Sequence, residues 1–298
     1  MVIFGAGLAG LLAGCVFPTA LIHEAAPPNT STHRALLRFR SRAVGDVIGI
    51  EFRPVCVRKG IWFQNAYHPP SIQLANWYSH KVTGTLLDRS IWDVSSVERF
   101  IAPETLIEQL IERCAQRIQW NAPLTALPLD PNAAPYISTI PMNTMMTMLP
   151  LDPSTPAFHY QPIAVKRWRL KRSDVFQTIY TPDPTTSLYR VSITGSLVIA
   201  EYMGTPDSYD FWRAFGLYAE DASALEETRQ RYGKIAPIED GWRRNFVFAL
   251  TTNYGLYSLG RFATWRNILL DDIVKDITVI KRLMTGSAYA RLRHSVPQ

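Results

Sequence analysis

The chain opens on an unbroken apolar run, "VIF", that stops at a glycine, passes through "GAGLAG" and "LLAGCV", and reaches a second apolar run, "TALIHE", ending at Glu24. Continuous apolar runs bounded by glycine read as strands buried on both faces, so the opening predicts strand, tight turn, helix, strand. Pro18 closes that helix after about three turns. The polar "APPNTSTH" beyond it is loop by composition, and "ALLRFRSRAVGDVIGIEF" is strand-rich with Gly45 and Gly49 as bends. In "PETLIEQLIERCAQRI" the apolar positions Leu106, Ile107, Leu110, Ile111 and Cys114 recur on one helical face, with Pro103 and Glu104 suited to its first turn. "IQWNAPLTALPLD" reads as strand and turn. "PYISTIPM" predicts a short buried strand closed by Pro141, and "MNTMMTM" is either core packing or a soft surface facing a substrate.

Residues 60–100 show loop-like and strand-like patterning only. From about Leu149 to Arg244 the pattern alternates with period two, and "FHYQPIAVKRWRL", "VFQTIYTP" and "SLYRVSI" are candidate strands separated by proline-rich turns. "DSYDFWRAFGLYAEDASALEETRQRYG" reads as helical in its second half. The last patterned section, "GLYSLGRFATWRNILLDDIVKDITVIKRLM", predicts strand, glycine turn and a helix with Ile273, Ile277 and Ile280 on one face. There is no internal repeat and no low-complexity tract.

Composition narrows the class. A chain of 298 residues, 47% apolar and 19% charged, buries a sizeable core in one or two domains, and its net charge of +6 biases the surface toward anionic partners. Three cysteines, Cys15, Cys56 and Cys114, with no close pair in sequence support neither a disulfide framework nor a CxxC metal site, so a reducing, cytoplasmic setting is expected. The six histidines show no metal-binding spacing, and no metal is expected. No apolar stretch reaches the roughly 18 residues a membrane span needs. The run Val2–Phe17 lacks a basic flank and carries four glycines, so it reads as a βα unit and not as a signal peptide. Neither a GxSxG elbow nor a Walker lysine is present.

Gly5, Gly7 and Gly10 form GxGxxG between the first strand and the first helix, and Glu24 closes the second strand 19 residues beyond Gly5. The first glycine permits the sharp turn, the second lets backbone approach a pyrophosphate, and the third lets helix and strand pack closely. Helix N-terminal amides then face the phosphates. Glu24 suits a ribose diol and disfavours a 2′-phosphate, so FAD or NAD is preferred to NADP.

Two downstream stretches favour FAD. "LYSLGRFATWRNILLDDIVKDI", residues 256–277, resembles the C-terminal flavin-binding segment of UDP-galactopyranose mutases and the wider amine-oxidase-like flavoproteins. There a strand ends in Gly-Arg, an aromatic and an Arg come next, and a helix begins under the flavin near an acidic pair; the matching residues are Gly260, Arg261, Trp265, Arg266, Asp271 and Asp272. "VFQTIYTPDPTTSLYRVSI" resembles the mutase strand pair that carries an arginine into the active site, which falls on Arg190. "PYISTIPM" and "GKIAPIEDGWRRN" keep the family's order. Two features depart from it: "EAAPPNTSTHRALLRFRS" has no Gly-Gly pair after the ribose acid, and the helical insert that mutases place over a UDP-sugar looks shortened.

The resemblance implies an α/β fold: a Rossmann-like, GR2-type FAD-binding domain from residues 1–60, 96–150 and 245–298, with an inserted β-rich substrate domain from 61–95 and 151–244. It implies FAD held by Gly5, Gly7, Gly10, Glu24, Arg38, Gly260, Arg261, Trp265, Arg266 and Asp271, with Arg190, Arg40 and Tyr180 at the reacting centre. Arg38, Arg40 and Arg42 in "RFRSR" either pass the isoalloxazine or form a solvated strand face. The expected activity is oxidation or cleavage of an amine C–N bond, hydride passing to the flavin from the carbon beside nitrogen. The basic surface suggests an anionic substrate, such as an amino-acid-modified base in viral DNA. A UDP-sugar mutase, with Arg190 and Arg266 clamping the diphosphate, and a non-catalytic flavin or nucleic-acid binder are the alternatives. "AVKRWRLKR" places Arg167, Arg169 and Lys171 opposite Trp168, as either a polyanion surface or a charge-protected edge strand.

Overall fold

The first apolar run forms strand β1 (Val2–Phe4), the middle of a five-stranded parallel sheet completed by β2 (Leu21–His23), β7 (Ile118–Gln119), β8 (Tyr136–Ser138) and β14 (Leu256–Ser258), in the order β14-β8-β1-β2-β7. The computed structural model describes residues 1–28, 38–87, 90–126, 135–149 and 156–285. Both faces of this sheet are covered, which is why its strands carry no alternation. Ile3, Ile22 and Ile137 point to one core with helices α1 (Leu8–Val16), α2 (Ala43–Ile48), α4 (Leu106–Cys114) and α7 (Leu270–Thr285). Phe4 and Leu256 point to the other, with α5 (Met142–Met146) and α6 (Asp240–Tyr254). Met142, Met145 and Met146 are buried there, so the methionine-rich stretch is core and not a substrate surface.

The second sheet has nine strands. It runs β13 (Ala222–Ile235), β9 (Tyr160–Leu170), β12 (Leu197–Met203), β11 (Leu188–Gly195), β10 (Val175–Tyr180), β4 (Arg53–Phe63), β6 (Val97–Ile101) and β3 (Arg38–Phe39), with β5 (Ala66–His68) beside β4. Its pairs are antiparallel except β10 with β4. Strands β3, β4 and β6, expected within the dinucleotide-binding part, all pair into this sheet, and β4 runs unbroken through the expected boundary at residue 60.

Three local expectations change. Residues 222–235, read as helix from their Glu, Arg and Gln content, form the long edge strand β13, because pairing with β9 outweighs a weak helical preference. Residues 72–83 form a helix, α3 (Ile72–Thr83), where only loop and strand were expected. Ser71 caps it by accepting from Leu74 N at 3.3 Å, Gly84 ends it at φ +73°, and Leu74, Ala75, Tyr78 and Val82 line its buried stripe. Strand β9 is not an edge: it lies between β12 and β13. Its Arg167 pairs with Glu226 and its Arg169 with Glu104 at 2.7 Å, while Trp168 packs on Phe211 and Trp212 on the opposite face.

Trp265 links the two sheets. It holds a left-handed backbone (φ +44°), a cost that only a heavily packed side chain offsets. The side chain is 2% exposed, its Nε1 donates to the Ala236 carbonyl at 2.9 Å, and its ring meets Phe158 edge-on at 4.7 Å. Trp265→Ala is therefore expected to cost about 3–5 kcal/mol of stability, seen as a lower urea midpoint by circular dichroism, with Trp265→Phe losing less.

Candidate functional site

Strands β1, β8 and β14 end side by side, and hydrogen bonds continue past their ends. Thr139 N donates to the Phe4 carbonyl at 2.9 Å, Leu259 N to Ser138 at 2.8 Å, and Gly5 N to His23 at 2.8 Å. The carboxyl edge of an open parallel sheet is where such folds bind ligands. The glycines here have distinct jobs. Gly5 sits at φ +98° against the Thr139 hydroxyl, and a methyl on Gly10 would stand 1.9 Å from the Gly5 carbonyl oxygen. A methyl on Gly7 would meet nothing within 4 Å, so the loop leaves open space at this position.

Gly7 is the N-cap of α1, no side chain among the described residues caps that helix, and its first turn holds no acid. With no acid of its own in that turn, the helix start suits an anion. Glu24 stands beside the turn, one oxygen accepting from Ala6 N at 2.6 Å and the other from Ala26 N at 2.9 Å. Each oxygen keeps a lone pair for a sugar hydroxyl. From the far end of the chain, Gly260 (φ +94°) comes after β14 and closes on α1, a methyl there reaching 3.0 Å from the Ala9 Cβ. The amino-terminal glycine bend and the distant Gly260–Arg261 turn therefore form one locus.

Asp271, in the first turn of α7, acts through backbone. Its carboxylate accepts from Arg40 N at 3.0 Å and Ser41 N at 3.0 Å, holding residues 40–41 against the helix, while the Arg40 side chain is exposed. Two residues earlier, Arg38 turns onto the long sheet and donates to Thr178 Oγ1 at 2.7 Å, Thr194 Oγ1 at 2.7 Å and the Ile193 carbonyl at 2.6 Å. Burial, then the nearby charge of Arg190, push its pKa down to about 9. Arg266 pairs with Asp276 and faces a 530 Å³ cavity between α6 and α7. Trp265 is committed to the core junction, and Arg261 lies over the Phe262 ring at 5.8 Å.

Directly paired residues of neighbouring strands share a face. Register places Tyr180 opposite Arg190, Arg190 opposite Glu201, and Glu201 opposite Val165, which opposes Thr228. Helix α3 packs on this face through Tyr78 and Leu74. Glu201, 2% exposed, holds Arg190 along one guanidinium edge through Nε and Nη2, the latter at 2.7 Å, and accepts from the Tyr189 hydroxyl at 3.0 Å. Lys234 Nζ stands 4.5 Å from the Tyr189 ring centroid. Burial alone would push the Glu201 carboxyl up, but the Arg190 charge overrides it and holds the pKa below the ordinary carboxylate value. Burial likewise works against the charge of Arg190, and Glu201 overrides it upward.

Of the expected residues, the structure gathers Gly5, Gly7, Gly10, Glu24, Gly260 and Arg261 at the strand ends, and Arg38, Tyr180 and Arg190 on the long sheet. The segment lacking a Gly-Gly pair lies largely in residues 29–37, outside the described residues. Thr139 and Glu201 were not anticipated. A single acid in the apolar "LVIAEYM" was the available signal for Glu201, since a carboxylate in a buried strand needs a cation across the hairpin. Among the described residues no group of three or more His, Cys, Asp or Glu is placed to hold a metal, and no helix is long and apolar enough to cross a membrane.

No protein-family model and no curated protein matches the chain. Its structure is similar to that of a reduced UDP-galactopyranose mutase (TM-score 0.65, 13% identity, covering 95% of this chain and 93% of that one). It is also similar to an oxidoreductase from Methanosarcina mazei (0.56, 10%, 94% and 99%) and to p-nitrophenol 4-monooxygenase PnpA from Pseudomonas putida DLL-E4 (0.54, 13%, 99% and 80%). The chain has the Rossmann-type flavoprotein fold.

Two variants separate the glycine roles. Gly10→Ala forces a methyl into the Gly5 carbonyl and is expected to cost about 3 kcal/mol or more in a thermal melt. Gly7→Ala melts as the parent does while flavin retention, read by absorbance after desalting, falls. Glu201→Gln leaves Arg190 without its counter-charge and is expected to cost about 3 kcal/mol. A depressed folded pKa means that the unfolded chain binds the proton more readily, so stability from Glu201 is full above about pH 4.3 and is lost on acidification. Urea midpoints measured from neutral pH downward should fall less steeply in Glu201→Gln than in the parent.

Proposed function

We propose that the chain binds FAD and is an FAD-dependent oxidoreductase acting on an anionic substrate, oxidising or cleaving the C–N bond of an amine. Gly5–Gly10 and the α1 amides hold the pyrophosphate, Glu24 the adenosine ribose, and the Gly260–Arg261 turn the opposite portion of the cofactor. The flavin supplies the two-electron chemistry. The open position at Gly7, beside an uncapped helix start and a carboxylate with lone pairs to spare, fits such a group.

The anionic substrate rests on one observation: Arg38 and Arg190 share a largely buried face closely enough that the charge of Arg190 lowers the Arg38 pKa. Glu201 answers Arg190, while the hydrogen-bond partners of Arg38 among the described residues are neutral hydroxyls and carbonyls. Excess positive charge in such surroundings is costly until an anion answers it. Glu201 fixes the Arg190 fork, and Tyr180 stands beside it across the strand pair. A modified base in DNA is a narrower form of this reading. Arg167 and Arg169, which suggested a polyanion surface, are engaged with Glu226 and Glu104, so that form rests on overall charge.

A nucleotide-sugar mutase is the second reading, supported by α3, a helix lying over the sheet face where a shortened insert was expected. The purified protein should show flavin absorption bands. Anaerobic addition of an amine bearing a carboxylate or phosphate should bleach them, and neutral amines of the same skeleton should not. Bleaching by neutral amines alone, or no bleaching by any amine alongside UDP-galactose interconversion by the reduced protein, overturns the first reading. Duplex DNA that fails to bind at low and high salt removes the DNA form.

A further inference from the structure

Helices α6 and α7 pack on opposite faces of the five-stranded sheet and flank its edge strand β14. The 530 Å³ cavity that Arg266 faces lies between them, with Tyr257 and Ser258 of β14 in its wall. Its lining shares no residue with the glycine turn, Glu24, the Gly260–Arg261 turn or the Arg190 face. Each helix already has a core stripe, Phe246 and Leu250 on α6 and Ile273, Ile277 and Ile280 on α7. Further apolar residues off those stripes, Val247, Phe248, Val279 and Leu283, line the cavity, and Phe248 and Val279 are 61% and 52% exposed. Single exposed apolar residues are ordinary, but four converging on one concave space make an apolar binding wall.

The remaining lining is cationic. Arg243 and Arg244 come one turn before Val247 and Phe248 on α6, and Asp276 one turn before Val279 and Ile280 on α7. Thr264 gathers the charged groups, its carbonyl accepting from Arg243 Nη1 at 3.4 Å and its hydroxyl from Arg266 Nε at 3.1 Å. Asp276, the one acid in the lining, is engaged by Arg266, and Asp240 is shared by Arg243 and by Arg244 Nε at 2.7 Å. Among the described residues, Arg266 Nη1 and the two terminal nitrogens of Arg244 have no hydrogen-bond partner, and the Arg244 side chain is 74% exposed. Guanidinium donors are therefore left over at the charged end of an apolar cavity.

We propose that this cavity binds a free single-chain amphiphile with an anionic head, such as a medium-chain carboxylate. The head takes the spare donors of Arg244 and Arg266, and the chain lies between α6 and α7 along Val247, Phe248, Val279 and Leu283. The volume falls within the range of about 300–1,000 Å³ typical of small-ligand sites. A carboxylate matches the guanidinium fork, whereas a cationic head would meet three arginines. Burial of the chain against the two helices makes affinity grow with its length, about tenfold for each pair of methylenes. A concave space between two helices admits one chain, which fits a free amphiphile and not a bilayer surface.

Calorimetric titration of the full chain with decanoate, kept below the concentration at which it forms micelles, should show a single site. Octanoate should bind about tenfold more weakly, and acetate and decyltrimethylammonium should give no signal. Arg244→Glu removes the exposed head contact and Val279→Trp fills the apolar end. Both positions are exposed, so the unliganded variants should melt as the parent does while each loses about tenfold in decanoate affinity. Phe248→Glu, also at an exposed position, replaces either variant that melts early. The proposal is overturned if the parent binds no decanoate, if decyltrimethylammonium binds as tightly, or if the variants bind decanoate as the parent does. Flotation of the chain with phosphatidylglycerol vesicles in place of decanoate binding overturns it as well.

Discussion

The approach of Gly10 to the Gly5 carbonyl governs most of the architecture of this chain. With a hydrogen in place of a side chain, α1 starts against the end of β1 and directs its first amides across the ends of β8 and β14. Thr139 and Gly260 are set by the same packing, one under Gly5 and the other against Ala9. Any larger residue at position 10 would lift the helix from the sheet and open the locus where the two ends of the chain meet. Gly7 is different in kind, because among the described residues a methyl there would meet no atom within 4 Å.

Asp271 carries that arrangement to the second sheet. By taking the amides of residues 40 and 41 it fixes the segment that crosses from the helical layer, and Arg38 completes the crossing by donating to hydroxyls and carbonyls of β10 and β11. An arginine so occupied pins β3 to β10 and β11 within the long sheet. Its guanidinium also lies near enough to Arg190 for that charge to lower its pKa.

Elements with a strong local signature were legible in the sequence. The GxGxxG turn, the α4 stripe, the Ile273–Ile277–Ile280 face of α7 and the β10 and β11 strands appear where period and punctuation place them. Helix α3 was missed: Ser71, Gly84 and the Leu74–Tyr78–Val82 spacing carried its signal, but the aromatic and polar residues between them obscured it. Strand β13 was not, because "LEETRQR" prefers helix locally and becomes strand only through its partner β9.

At the site the division reflects the range of the forces. Backbone freedom, helix capping and apolar periodicity act over a few residues, so the chain alone specified a tight glycine turn at Gly5–Gly10 and an acid at Glu24 ending the second strand. Ion pairing and register act between residues far apart in sequence, and only the folded chain could assign Arg190 to Glu201, Arg266 to Asp276 and Trp265 to the junction of the sheets. A charge in a sequence shows what could be bound; its neighbours in space decide whether it is already spent.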